Sequence, residues 1–134
     1  MFKLIKIINS GANVPEPVRL SKASDTVIKE GTALTLSGGL IINCGASVAP
    51  KYIAFAAAPA GTTEVLCYEI TEGMRFEAPT SVSPTAYTVG ALLNLATDAS
   101  GAAYGVGAVN ASGVATVVTI DGASGIGDTV TVKF

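Results

Sequence analysis

Four glutamates, Glu64, Glu69, Glu72 and Glu77, lie close together in sequence with Arg75 among them. Two carboxylates on one surface can share acid and base work, as in glycoside hydrolysis. The chain has no histidine, which removes the commonest general base, the usual partner of a nucleophilic Ser or Cys, and the commonest metal ligand. The glutamates therefore read as solvated strand edges with local ion pairs. Asp98 with Ser100, and Asp121 with Asp128, offer oxygen ligands for calcium, but the D-x-D-x-D loop with a distal Glu is missing. The glycine runs GVG (105–107) and GASGIG (122–127) look like phosphate loops, yet neither opens a helix nor is followed by Lys-Ser/Thr, so they read as turns. Tyr52, Phe55, Tyr68, Phe76, Tyr87 and Tyr104 have faces that stack on a sugar or a base. They are not interleaved with basic residues and are expected in core and interface packing. Cys44 and Cys67 sit in apolar runs, and the expectation is two buried, reduced thiols rather than a disulfide or metal pair. No catalytic, cofactor or metal site is expected, and the chain does not read as an enzyme.

The elements that would have to position any site are short strands. The 134 residues suit one domain, with roughly 6,500 Å² of exposed surface if folded as a monomer. Gly, Pro, Asn and Asp punctuate the sequence, and helical periodicity is almost absent. Strand candidates are residues 2–8, which are a strand or an extended arm, then 26–29, 33–36, 40–43, 52–57, 63–70 and 74–77. A second set covers 87–89, 91–96, 105–109, 114–120 and 129–134. Ser37-Gly38-Gly39 spaces two of them as a hairpin. Residues 63–70 are largely apolar on both faces and are expected to be buried on both. The 9–17 segment reads as a loop, and 80–84 as a connector. The fold class is all-β, a small barrel or sandwich of short antiparallel strands or two small β lobes, with an extended N-terminal segment. Its parts are 1–18, an N-terminal strand or arm plus loop; 19–79, a first β block; and 80–134, a second that forms one compact unit with it.

Charged residues make up 13% of the chain, against about 25% in ordinary soluble domains. So weakly solvated a surface is tolerable if partners cover it. The net charge is −2 and the eight basic residues are scattered from Lys3 to Lys133, with Lys3 and Lys6 the only hint of a basic end. Nucleic acid is therefore not expected as a partner, because phosphate binding needs concentrated positive charge. No apolar run approaches a membrane span. The start, MFKLIKII, is too short and Lys-interrupted to be a signal peptide, so no export is expected. Phe2, Leu4, Ile5, Ile7 and Ile8 are the candidate interaction residues, since an exposed strand ahead of a Gly/Pro loop can join a neighbour's sheet.

The stretch 28–79 has a lysine and a glycine before a short ALTL strand, then the glycine hairpin, Pro-x-Tyr-Ile-Ala from Pro50, and F-E-x-P from Phe76. It resembles the auxiliary capsid proteins of tailed bacteriophages, including the head decoration proteins. The closing GDTVTVKF is similar to the last strand of many small phage β proteins. The resemblance implies a virion structural protein, made in the host cytoplasm and carried on the capsid exterior. It would bind the major capsid protein lattice as a homo-oligomer, often a trimer, and clamp neighbouring subunits. The N-terminal segment is more hydrophobic than a typical mobile arm, and 80–134 reads as an additional lobe. A tail or head–tail component, and a host-surface or carbohydrate-binding β module, are the alternatives.

Overall fold

The computed structural model describes residues 1–8 and 15–134. Among them run eleven strands: β1 (Lys3–Ile7), β2 (Val18–Ser21), β3 (Ala33–Ser37), β4 (Leu40–Asn43), β5 (Tyr52–Ala54), β6 (Glu64–Glu69), β7 (Met74–Pro79), β8 (Leu92–Thr97), β9 (Ala103–Val109), β10 (Ala115–Thr119) and β11 (Thr129–Lys133). The one helical element described is a 3-10 turn at Pro84–Ala86. The protein is all-β, and every pairing between named strands is antiparallel.

The hydrogen-bonded order is β1-β7-β11-β10-β8-β9-β3-β5-β6-β2, with β4 on β3. Two isolated parallel bridges bend this path back on itself. Lys22 meets Ile41, bringing the end of β2 to β4, so five strands curl round Ile28, Leu34, Ile41, Val65 and Cys67. Thr80 meets Val106, bringing the end of β7 to β9, and a second group curls round Phe76, Leu93, Val106, Val117 and Val132. Burial of each such side chain contributes about 1.5–3 kcal/mol. β7 precedes residue 80 in sequence, but its partners are β1 and β11. Ala33 pairs with both Ile53 and Ala103, so β3 joins the two groups. The surface of 6690 Å² is close to that expected of a folded monomer of this mass.

Several local expectations are corrected by tertiary context. Only Ile28 of the 26–29 run pairs, in a single bridge to Ala58. Residues 87–89 form no strand: Pro84 starts the 3-10 turn, and the Tyr87 N–H donates to the Pro84 carbonyl. The Tyr87 ring turns inward, and its hydroxyl donates to the Gly107 carbonyl. β6 is not buried on both faces: Val65 and Cys67 are buried, while Leu66 and Tyr68 are half-exposed. β2 was not expected so soon after Pro15 and Pro17, and forms because β6 offers an edge to pair with. In the expected 9–17 loop, 9–14 lie outside the described residues.

Cys44 and Cys67 are free and buried. Burial pushes Cys44 up to about 12 and Cys67 up to about 11, from an ordinary value of 9.0. Only the thiolate attacks a disulfide. At pH 8 a thiol-disulfide reagent is therefore expected to label neither cysteine in the folded protein and both in denaturant. Labelling of the folded chain at the rate of a free thiol would contradict the burial. Folding favours the protonated thiols, so their contribution to stability is complete below pH 9.0 and is lost as pH rises through the folded-state values.

Candidate functional site

β1 ends the strand order, and among the described residues it has a strand partner, β7, on one side only. Alternating apolar residues anchor its inner face. Phe2 is 2% exposed and packs edge-on against Phe134, with centroids 5.4 Å apart, and Phe134 in turn packs at a tilt against Phe76. The Phe2 N–H donates to the Gly31 carbonyl at 2.7 Å. Leu4 lies opposite Phe76, Ile7 opposite Met74, and both are half-buried against the core. The register shifts between Leu4 and Lys6, which leaves Ile5 as a bulge, 48% exposed. Ile8 is also exposed. Of the five candidate interaction residues, the structure places Phe2 in the protein's own core, Leu4 and Ile7 at its margin, and Ile5 and Ile8 outward.

A groove of about 520 Å³ runs beside the strand. Every residue from Met1 to Ile7 lines it, which places it along the open edge of β1 rather than over one face. Its far side is built by Ile53, Ala54 and Phe55 at the end of β5, Tyr68 of β6, and the Glu30–Gly31 turn. Phe55 and Tyr68 meet edge to face at 5.1 Å, and Phe55 is 43% exposed. The groove thus joins the edge of β1 that has no strand partner among the described residues to an apolar wall on the other side. That is the physical requirement for accepting an extended segment. Sequence reasoning missed Phe55 and Tyr68 as part of this site, because the β5–β6 pairing brings them together and the Phe2–Gly31 and Gly31–Ala54 backbone bonds bring the end of β5 to β1.

No protein-family model matches the chain, and no curated protein matches it.

The other candidates are held in structural roles. Glu64 meets Arg19 at 3.4 Å with both side chains more than half exposed, a pair worth little in solvent. The Thr129 hydroxyl donates to Glu77 at 3.1 Å. Among the described residues no three His, Cys, Asp or Glu side chains gather as a metal site. Asp98 accepts from the Ser100 and Ala102 N–H groups and the Ser100 hydroxyl, and pairs with Lys29 at 2.6 Å. The Lys29 ammonium first, then the Ser100 hydroxyl, holds the Asp98 carboxyl well below the usual carboxylate range. Asp128 accepts from the Gly125 and Ser124 N–H groups, which lower its carboxyl and shape the glycine loop as a turn.

Proposed function

We propose that this chain is a virion structural protein that decorates and stabilises a phage capsid, binding the outer surface of the major capsid protein lattice as a homo-oligomer. The observation that carries the reading is the open edge of β1 beside an apolar groove. The phage-like pattern of residues 28–79 supports it. A lattice subunit that lays an extended segment along β1 gains backbone hydrogen bonds from the strand and apolar contact from Phe55. About 800 Å² per partner is the usual size of a stable contact. On a shell, neighbouring copies bind together, so each contact needs only modest affinity. A protein that binds assembled lattice and not free subunits stabilises the assembly by mass action.

Particles produced without the chain, then given the purified protein, are expected to gain heat resistance in a saturable way, at a fixed ratio to the major capsid protein. Phe55→Glu places a charge on the groove wall at a side chain that is already 43% exposed. It is expected to leave the fold intact and weaken particle binding by at least about tenfold. A chain that stays monomeric, binds no particle and instead binds glycans or turns over a substrate would defeat the proposal.

A further inference from the structure

The fold gathers positive charge that the sequence disperses. Lys6 on β1 lies opposite Arg75 on β7. Phe76 lies opposite Val132, so the next position of the same ladder sets Arg75 beside Lys133 of β11. The bulge at Ile5 keeps Lys3, opposite Glu77, on the same outward face as Lys6. Lys3, Lys6, Arg75 and Lys133 therefore form a basic strip across three adjacent strands about 4.8 Å apart. Lys3 and Lys6 are exposed, Arg75 and Lys133 half-exposed. Four of the eight basic residues stand here with Glu72 and Glu77, and Glu30 lies across the groove, so the strip is more basic than the chain as a whole. Arg75 spends one terminal nitrogen on the Glu72 and Met74 carbonyls, each at 2.9 Å, while its buried Nε meets no acceptor among the described residues. None of the four forms an ion pair among the described residues.

We infer that this strip, with the open edge of β1, is a docking surface for an extended acidic segment of the partner protein, carrying carboxylates and apolar side chains at alternate positions. A strand laid along β1 alternates its side chains between two faces. On the outer face they come beside Lys3 and Lys6; on the inner face they enter the groove toward Ile53 and Phe55. Lysines on an edge oppose pairing between two copies of β1, because like charges meet. The same lysines favour a strand of opposite charge, which Arg75 and Lys133 reinforce from the next two strands. The inference rests on the lattice-binding reading above and names the chemistry of the segment that reading requires.

A blocked heptapeptide of alternating Glu and Val serves as the probe, titrated into the isotopically labelled full chain and followed by backbone amide shifts. Binding is expected, with shifts concentrated on β1 and the Glu30–Gly31 turn, and at least about tenfold weaker at high salt. A Gln/Val peptide is expected to bind at least about tenfold more weakly. Lys6→Glu with Lys133→Glu, both at the surface, is expected to abolish binding while the spectrum elsewhere stays unchanged. Equal binding of the Gln/Val peptide, shifts away from β1, no binding of the Glu/Val peptide, or preferential binding of a single-stranded DNA oligonucleotide would each overturn the inference. Particle binding is measured in parallel with the same double variant. Undiminished particle binding overturns the strip and leaves the lattice reading standing. Peptide binding by a chain that binds no particle supports the strip and removes the lattice reading.

Discussion

Gly105→Ala is expected to destabilise the protein by about 3 kcal/mol or more, lowering the thermal midpoint by roughly 10 °C, whereas Gly107→Ala costs less than about 1 kcal/mol. Both glycines lie in β9, two residues apart and so on the same face. A methyl at Gly105 would stand 2.3 Å from the Pro79 carbonyl oxygen and 3.0 Å from the Pro79 ring. At Gly107 the nearest atom is the Ser81 hydroxyl at 3.5 Å, ordinary van der Waals contact. The overlap at Gly105 is with backbone, so no side chain can swing aside. Relief requires β7 to move away from β9 where Thr80 meets Val106 and the Ser81 N–H donates to the Val106 carbonyl at 2.9 Å. That contact brings β7 to β9, and Phe76, Val106 and Val132 sit inside the group it bends. Matched thermal or denaturant melts of the two variants decide the matter. Equal midpoints would mean that the approach of β9 to β7 does not hold this group together.

The hairpin between β3 and β4 was legible because its cause is local. Gly38 and Gly39 both have positive φ, 57° and 82°, which a two-residue turn matching the strand twist requires. The closing strand β11 was legible for a similar reason: Val130 and Val132 are buried, and Thr129, Thr131 and Lys133 point the other way. Elements decided by distant neighbours were not. Val18–Ser21 has only two apolar residues near prolines and becomes a strand on meeting β6. Tyr87 has strand-like neighbours but is drawn inward by the Gly107 carbonyl, twenty residues on.

The candidate site divides along the same line. The apolar character of residues 2–8 is plain in the sequence, and the exposed Ile5 and Ile8 were among the candidate interaction residues. That Phe2 belongs to the core could not be read locally, because Phe76 and Phe134, which receive it, lie far along the chain. Of the basic strip, only Lys3 with Lys6 stood out in the sequence, as a hint of a basic end. Arg75 and Lys133 join them only through the β1-β7-β11 register.

Lys22→Met is expected to cost about 2–4 kcal/mol, while Lys51→Met, at an exposed site, stays within about 0.5 kcal/mol of the parent. Lys22 is 3% exposed. Its ammonium donates to three backbone carbonyls: Thr62 at 2.6 Å, Thr26 at 2.8 Å and Ala23 at 3.1 Å. Each donor finds an acceptor, so a buried cation is compensated by oriented peptide dipoles without a carboxylate. The three carbonyls belong to two turns, 23–26 and 59–62, and the Gly61 N–H donates to the Ser24 carbonyl between them at 2.7 Å. Methionine matches the apolar stem and leaves the carbonyls without their shared donor, so the desolvation cost falls on the backbone. Denaturant melts supply the free energy, and amide hydrogen exchange locates it. Protection should fall first at Gly61 and Ile28, whose N–H groups donate to the Ser24 and Ala58 carbonyls within this corner, and little at Val117 in the other group of strands. A neutral or stabilising Lys22→Met would show that desolvating the ammonium costs as much as its hydrogen bonds return. The two turns would then be held by backbone contacts: the Ile28–Ala58 bridge and the Lys22–Thr63 and Gly61–Ser24 bonds.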